Sequence, residues 1–317
     1  MTEQALEILR QGLDRLGLTY PPDAVERLAL YGDRLLEKNQ VMNLTAITDP
    51  CEVARLHFLD SASLLPSKTL HGRKVIDVGT GGGFPGLVLR ILDPSIQLTL
   101  LDSLGKRIDW LQEVCEELGL HDVVCLKGRA EETARQKTHR EQYDVAVSRA
   151  LASMPVLAEL CIPYVKPGGL FLAMKSNKTD EEIEAAEPII QTLGGDKPFV
   201  MDYPVPGTDI WHRIVTVAKP RPTPKALPQK VDEDQRIKNL VCLHKKVLHK
   251  SWLYGTMEQK FQEEWLWAAS SSSHPEKAAR ERPLSRGGSG PLWPCKGVRC
   301  FASTPTWACG TWTLPSA

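Results

Sequence analysis

At 317 residues, with 42% hydrophobic and 25% charged side chains, the chain has an ordinary globular composition sized for one large domain with additions, or for two domains. It holds no run of 18 apolar residues, and Met1-Thr2-Glu3-Gln4 begins neither a basic nor an apolar leader, so neither a membrane-spanning helix nor a secretory signal is expected. The net charge of zero hides a split. Residues 1–218 carry 23 Lys and Arg against 31 Asp and Glu, and residues 219–317 carry 16 against 8, so the body can grip a polyanion only through a local basic patch.

Residues 3–16 and 23–38 read as amphipathic helices, and in the second Leu28, Tyr31, Leu35 and Leu36 form one apolar stripe. Asp49-Pro50 opens a third helix reaching about Leu65, with proline where a first turn tolerates it. Behind this helical front, strands are predicted at 74–78, 96–101, 123–127, 143–147, 169–174, 197–203 and 211–218. Helices are predicted at 85–92, 104–119, 129–136, 153–164 and 179–193. The clearest is the second of these, where Leu104, Ile108, Leu111, Cys115 and Leu118 recur at helical spacing and Gly119 ends the run. Strands alternating with helical crossovers imply an α/β, doubly wound, mostly parallel sheet of seven strands covered on both faces. Only Pro204-Val205-Pro206-Gly207 separates the last two strands, so that pair is expected to be antiparallel.

Three parts follow: an N-terminal helical cap over 1–66, a Rossmann-like domain over 67–220, and an irregular tail over 221–317. Pro220, Pro222, Pro224 and Pro228 read as a stiff, exposed stretch. Residues 231–267 have the charge pattern of a helix or two. Residues 270–317 have no periodicity, and six of the eight Trp lie beyond residue 250, a composition expected to be disordered or poorly packed. The eight Cys include no C-x-x-C pair. Cys51, Cys115, Cys125 and Cys161 fall in apolar segments and read as small core residues in a reducing compartment, so neither a disulfide framework nor a metal site is expected.

The most informative segment is Val75-Ile76-Asp77-Val78-Gly79-Thr80-Gly81-Gly82-Gly83-Phe84-Pro85-Gly86, which follows a strand and opens a helix. Glycines let the backbone turn sharply and approach a ligand, and helix-terminal N–H groups can face that ligand. A nucleotide P-loop would need Gly-Lys-Ser/Thr, whereas Gly86-Leu87-Val88 stands here. The dinucleotide pattern G-x-G-x-x-G is satisfied literally by Gly81 to Gly86, but Asp77 just before the loop would repel a pyrophosphate. S-adenosylmethionine carries a sulfonium and an ammonium and no phosphate, so an acidic strand tip suits it better. Asp102 at the end of the next strand suits the two ribose hydroxyls of an adenosine, which NAD and S-adenosylmethionine share. A glycine turn in a domain that binds nothing is the third reading. After the third strand, Ala130 or Glu131 could meet an adenine edge, or the acids could simply favour a helix start. Arg149 ends the fourth strand. Strand ends of one parallel sheet converge on one crevice, which places it beside the same ligand.

Over about residues 5–225 the chain resembles the RsmG (GidB) family of bacterial 16S ribosomal RNA guanine-N7 methyltransferases. The matching pieces are Asn43-Leu44-Thr45-Ala46, His57-Phe58-Leu59-Asp60-Ser61, the Asp77–Gly86 loop, Leu101-Asp102-Ser103-Leu104-Gly105-Lys106-Arg107, Arg129-Ala130-Glu131, Ser148-Arg149-Ala150 and Ala173-Met174-Lys175. The resemblance implies a class I S-adenosylmethionine-dependent methyltransferase fold and a cytoplasmic enzyme, expected to be a monomer. It implies cofactor contacts from Gly79, Phe84, Ala130, Glu131 and Arg149, to which the loop and strand-tip readings add Gly81 and Asp102. The implied substrate is one guanine in the decoding-region loop of 16S rRNA, free or in an assembling small subunit.

Guanine N7 carries no proton, so its methylation needs alignment and charge placement rather than a general base. No catalytic residue is therefore expected beyond Arg149, which could orient guanine O6 or a phosphate. Its removal is expected to abolish transfer and leave the fold intact. Lys106, Arg107 and Lys175 lie near strand ends on the cofactor side and are the candidate RNA contacts. His57 and Asp60 share a helix face and are expected to close the cap on the sheet. Lys166, Lys178 and Arg213 read as ordinary surface charge. A methyltransferase of another RNA or a small molecule, and an inactive cofactor-binding protein, are the competing functions. Beyond Lys225 the family pattern stops, which leaves either sequence without an evolved role or a basic RNA-binding arm.

Overall fold

The computed structural model describes residues 1–149 and 152–228. They belong to the first of two compact units, Met1–Trp252; the second, Leu253–Ala317, and the expectations for residues 229–317, lie outside the described residues. Two helices open the chain, α1 (Glu3–Arg15) and α2 (Ala24–Met42). The Thr2 hydroxyl accepts the Ala5 N–H at the start of α1, and Asn43 ends α2 in the left-handed region, where asparagine is tolerated better than most residues. The third predicted helix forms in three pieces: α3 (Pro50–Val53), a π-helical stretch (Ala54–Leu59) and α4 (Asp60–Ala62). Asp49 caps it by accepting the Glu52 N–H at 2.9 Å. The widened π turn was not foreseen from sequence, and it carries His57. Such turns are frequent at functional sites.

Seven strands form where alternation places them: β1 (Lys74–Val78), β2 (Gln97–Asp102), β3 (Val124–Lys127), β4 (Tyr143–Arg149), β5 (Val165–Ser176), β6 (Phe199–Pro204) and β7 (Trp211–Lys219). Their spatial order is β3-β2-β1-β4-β5-β7-β6. The first five are parallel, and β7 lies antiparallel to both β5 and β6. The antiparallel pair is the one expected from its proline-rich turn. The crossover helices are α5 (Gly86–Leu92), α6 (Gly105–Glu117), α7 (Ala130–Thr133), α8 (Met154–Cys161) and α9 (Asp180–Thr192). Strand order reverses between β1 and β4, so the crevice for a ligand opens beyond the carboxyl ends of those two strands.

Strand alternation sorts the core into two layers. Val75, Leu98, Leu100, Val145 and Val147 face a cluster that also contains Leu9, Leu28, Tyr31, Leu35 and Phe58 of the N-terminal helices. Ile76, Val78, Leu101 and Ala146 face the opposite layer, built on α8 and α9 with Leu157 and Ile190. The helical cap therefore shares its apolar core with one face of the sheet.

The proline-rich stretch after β7 is exposed at Pro220, Pro222 and Pro224, as expected, and departs from that expectation at Pro228, which is buried. Thr223 and Leu227 are buried. The Arg140 guanidinium donates to the carbonyls of Thr223, Pro224 and Leu227 at 2.8, 2.9 and 2.8 Å, and Arg135 donates to that of Pro228 at 2.8 Å. Glu141 accepts both the Thr223 N–H and the ammonium of buried Lys219, each at 2.7 Å. Prolines lack N–H groups but keep their carbonyls, and two arginines gather those carbonyls onto the body. A truncation meant to remove the tail thus belongs after Pro228. Arg140→Ala is expected to cost about 1 kcal/mol and to speed hydrogen exchange at the Thr223, Lys225, Ala226 and Leu227 amides. Exchange mass spectrometry should detect this without change in the strands of the sheet.

Candidate cofactor and substrate site

The glycine loop is tied down from both sides. Gly79 and Thr80 donate their N–H groups to the Leu101 carbonyl at 2.8 and 3.0 Å, hooking the loop to the end of β2. Gly79, Gly81 and Gly83 have positive φ, a conformation that costs glycine little and other residues much. At Gly83 a Cβ would also lie 2.6 Å from the Tyr31 hydroxyl oxygen. That hydroxyl donates to the Gly82 carbonyl, so α2 is bonded directly to the loop. Tyr31 was legible in the sequence only as one member of an apolar stripe.

Asp77 organises this loop from beneath. Its Oδ2 accepts the Thr80 hydroxyl and the Gly86 N–H, both at 2.8 Å, while its Oδ1 is buried without a hydrogen-bond partner. Burial pushes its pKa up to about 7, against the opposing pull of these two bonds and of Arg149. The Gly86 N–H at the start of α5 is thus turned inward to a carboxylate. This corrects the expectation that the helix-terminal N–H groups face the ligand. A dinucleotide pyrophosphate would need such N–H groups and would meet a carboxylate instead.

Asp102 at the tip of β2 is also buried. Its Oδ2 accepts the Gly81 N–H at 3.0 Å and its Oδ1 the Leu104 N–H at 2.9 Å. Oδ2 is also reached by the Arg107 guanidinium at 3.5 Å, and Oδ1 keeps a lone pair for a further donor. After β3, the Ala130 carbonyl accepts the Tyr164 hydroxyl at 2.7 Å. Glu131 is buried, with Arg129 2.9 Å from its carboxylate. Gly79, Gly81, Asp102, Ala130 and Glu131 thus line the ends of three adjacent strands, with Phe84 over the loop.

Arg149 at the tip of β4 completes the group from the other side of the switch point. Its guanidinium lies 4.8 Å from the Phe84 ring centroid. It donates to the Leu56 carbonyl at 3.2 Å, to Asp60 Oδ2 at 3.1 Å and to His57 Nδ1 at 3.1 Å. A guanidinium only donates, so His57 Nδ1 accepts and its Nε2 carries the proton, given to Thr45 Oγ1 at 2.7 Å. Burial, reinforced by the Arg149 charge, lowers the His57 pKa to about 3, so the ring is neutral. It stacks on Phe84 with centroids 4.5 Å apart.

Asp60 is the counter-charge. Its Oδ1 accepts the Tyr203 hydroxyl and His212 Nδ1, each at 2.8 Å. Burial alone would raise its pKa, but the His212 bond, the Arg149 charge and the Tyr203 bond together hold it below the usual carboxylate range. His57 and Asp60 are both joined to Arg149, which makes them a clamp between cap and sheet, as expected. Tyr203 and His212, from β6 and β7, gave no sequence signal because they join the site only through the antiparallel strand pair. The expectation that Arg149 is dispensable to the fold needs correction, since its charge lies within this clamp.

The basic candidates divide. Lys106 is exposed. Arg107 is part-exposed and reaches Asp102 at 3.5 Å. Lys175 is turned inward, donating to the Ala152 carbonyl at 3.0 Å and pairing with Glu182 at 2.8 Å; it is not the free surface cation expected of an RNA contact. Arg213 is likewise corrected from surface charge, being buried between Asp202, at 2.7 and 3.1 Å, and Asp180, at 2.7 Å. Among the described residues no cluster of ligating side chains could hold a metal ion. No described helix is long and apolar enough to cross a membrane.

A doubly wound sheet in this order, with acids at adjacent strand tips around a glycine loop, defines a Rossmann-like methyltransferase. Among solved structures, the chain is similar to an O-methyltransferase from Bacillus cereus in complex with SAH, 20% identical, TM-score 0.43, covering 60% of this chain and 90% of that one. A SAM-dependent methyltransferase from Aquifex aeolicus is 18% identical, TM-score 0.40, covering 59% and 97%. The family model for rRNA small subunit methyltransferase G (GidB) matches residues 24–204. A ribosomal RNA small subunit methyltransferase G from Alkaliphilus metalliredigens is 47% identical over 224 residues, 70% of this chain and 94% of the relative. One from Clostridium perfringens is 42% identical over 228 residues, 72% and 95%. The chain belongs to the rRNA small subunit methyltransferase G family.

Two outcomes are expected. A carboxyl whose pKa is raised on folding keeps a proton that the unfolded chain releases near pH 4, so its contribution to stability is lost as pH rises toward 7. The melting temperature of wild type should therefore fall relative to Asp77→Asn between pH 5 and 7.5, and parallel curves would show that Asp77 is ionised throughout. Arg149→Ala leaves Asp60 buried without its cation and should cost about 3 kcal/mol in urea unfolding.

Proposed function

We propose that this chain transfers a methyl group from S-adenosylmethionine to N7 of one guanine in 16S ribosomal RNA, free or in an assembling small subunit. The observation that carries the reading is the pair of buried carboxylates, Asp77 and Asp102, bracketing the glycine loop, one with an unpartnered Oδ1. An unpaired acceptor buried at a strand tip is suited to a cationic ligand and not to a phosphate. The family supports the donor and the ribosomal substrate.

When bound, the cofactor supplies an electrophilic methyl on a cationic sulfur. In this reading Asp102 receives the ribose hydroxyls, Ala130 and Glu131 border the adenine, and Gly79, Gly81 and Phe84 shape the floor. Arg149, fixed by Asp60, His57 and the Leu56 carbonyl, places a rigid positive charge beside the reacting centre and orients the base or its phosphate. A pre-oriented donor costs no reorganisation at the moment of reaction. The neutral His57 fits a transfer in which no proton moves, since N7 attacks through a ring lone pair. Lys106, with Arg107 beside it, is the basic edge offered to RNA.

The organisation follows from these roles: residues 1–66 act as the cap over the substrate, 67–220 as the cofactor-binding domain, and 221–317 as an appended segment. A ribosomal substrate places the enzyme in the cytoplasm, where we take it to act as a monomer. Purified protein, tritiated S-adenosylmethionine and small subunits from a strain lacking the modification should yield a single 7-methylguanosine in digested 16S RNA. Label on a small molecule in RNA-free extract, or none at all, would reject the assignment.

A further inference from the structure

At the carboxyl end of α2, and outside every residue assigned above to cofactor or RNA, lies a cavity of about 470 Å³ lined by Leu36, Asn39, Gln40, Asn43, Thr45 and Thr48. That size lies within the range of small-molecule and cofactor pockets. Two contacts tie it to the methyl-transfer region. Leu35, next to Leu36 on α2, lies 3.4 Å from where a Cβ on Gly82 would stand. Thr45 holds His57 at 2.7 Å, and His57 stacks on Phe84.

The lining is all amide and hydroxyl apart from Leu36, and one amide has a fixed orientation. Asn39 Oδ1 accepts the Thr45 N–H at 2.9 Å. A backbone N–H only donates, so the oxygen of this amide is settled by chemistry, and its NH₂ group is the one left for a ligand. The pocket also stands at the carboxyl end of α2, where the last helical carbonyls are acceptors with negative partial charge. A fixed donor beside a set of acceptors is the complement of the Watson–Crick edge of guanine, which presents O6 as acceptor and N1–H and N2–H₂ as donors. Adenine reverses the pattern, setting an N6 donor against the Asn39 donor. A base withdrawn from its stack and held by that edge leaves N7 free on its other side.

Resting on the proposed function above, we propose that this cavity receives the target guanine and that the Asn39 NH₂ group donates to O6, making Asn39 the residue that selects guanine over adenine. Asn39→Asp keeps the oxygen that accepts Thr45 N–H and replaces the donor by a carboxylate oxygen, so it changes recognition with the loop anchor in place. Two measurements test this. With small subunits lacking the modification, Asn39→Asp should lower kcat/KM by about 10- to 100-fold, the scale of one base-edge contact, with S-adenosylmethionine affinity by calorimetry and melting temperature unchanged. With wild-type protein, 5′-GMP should shift the Asn39 side-chain amide resonances and 5′-AMP should not, and Asn39→Asp should remove the preference for GMP.

Wild-type turnover by Asn39→Asp, or a GMP preference that survives it, overturns the pocket assignment and leaves the methyltransferase reading standing. GMP selectivity through Asn39 in a protein that methylates no subunit RNA upholds the pocket and rejects the methyltransferase reading. Loss of cofactor affinity in Asn39→Asp would assign the residue to the cofactor and overturn the proposal. Asn39→Ser, which keeps a short donor and loses the fixed amide, should fall between wild type and Asn39→Asp in kcat/KM.

Discussion

Arg149 stands at the tip of β4 with its charge met by Asp60 from the cap helix. Removing two ions from water costs several kcal/mol each unless their hydrogen bonds are completed, and here they are. Asp60 takes further bonds from Tyr203 on β6 and His212 on β7, and Arg149 gives further bonds to His57 and Leu56. One ion pair thereby joins the helical cap, the parallel half of the sheet and its antiparallel edge. It helps to fix the cap against the glycine loop, since His57 stacks on Phe84 beside it.

The groups that ordinarily shuttle protons are held out of that role: His57 is neutral and hydrogen-bonded at both nitrogens, and Asp60 is held ionised by three donors. Asp77 is the exception. Its raised pKa comes from burial at a tip where one oxygen has no partner. An opposite charge placed there would lower that pKa again. The same carboxyl holds the start of α5, which links loop shape to ligand chemistry through one side chain.

The cap is built into the enzyme's core. Tyr31 reaches the Gly82 carbonyl, and Phe58 packs with Tyr31 and Phe84. The end of α2, with Asn39 and Asn43, is therefore positioned by the same contacts that shape the cofactor loop.

The amino-acid sequence by itself determined the elements and the loop. Alternation of apolar residues places the strands within a few positions, and β1 at Lys74–Val78 agrees with its predicted bounds. Asp77, the glycines and Asp102 lie close enough along the chain that local spacing picks them out together. Local rules could not see the partners that meet across the fold. Arg213 looks like surface charge in one dimension and Lys175 like a free contact for RNA; in three, Arg213 is buried and Lys175 part-buried, each held in ion pairs. The proline segment is exposed at Pro220, Pro222 and Pro224, yet Arg140 holds its carbonyls from 83 to 87 residues away. Asp60 finds Tyr203 and His212 at separations of 143 and 152 residues. Hydrophobic period and turn chemistry act between near neighbours. The pairing of buried charges is decided by which strand tips and helix faces the topology brings together, and only the tertiary structure contains that.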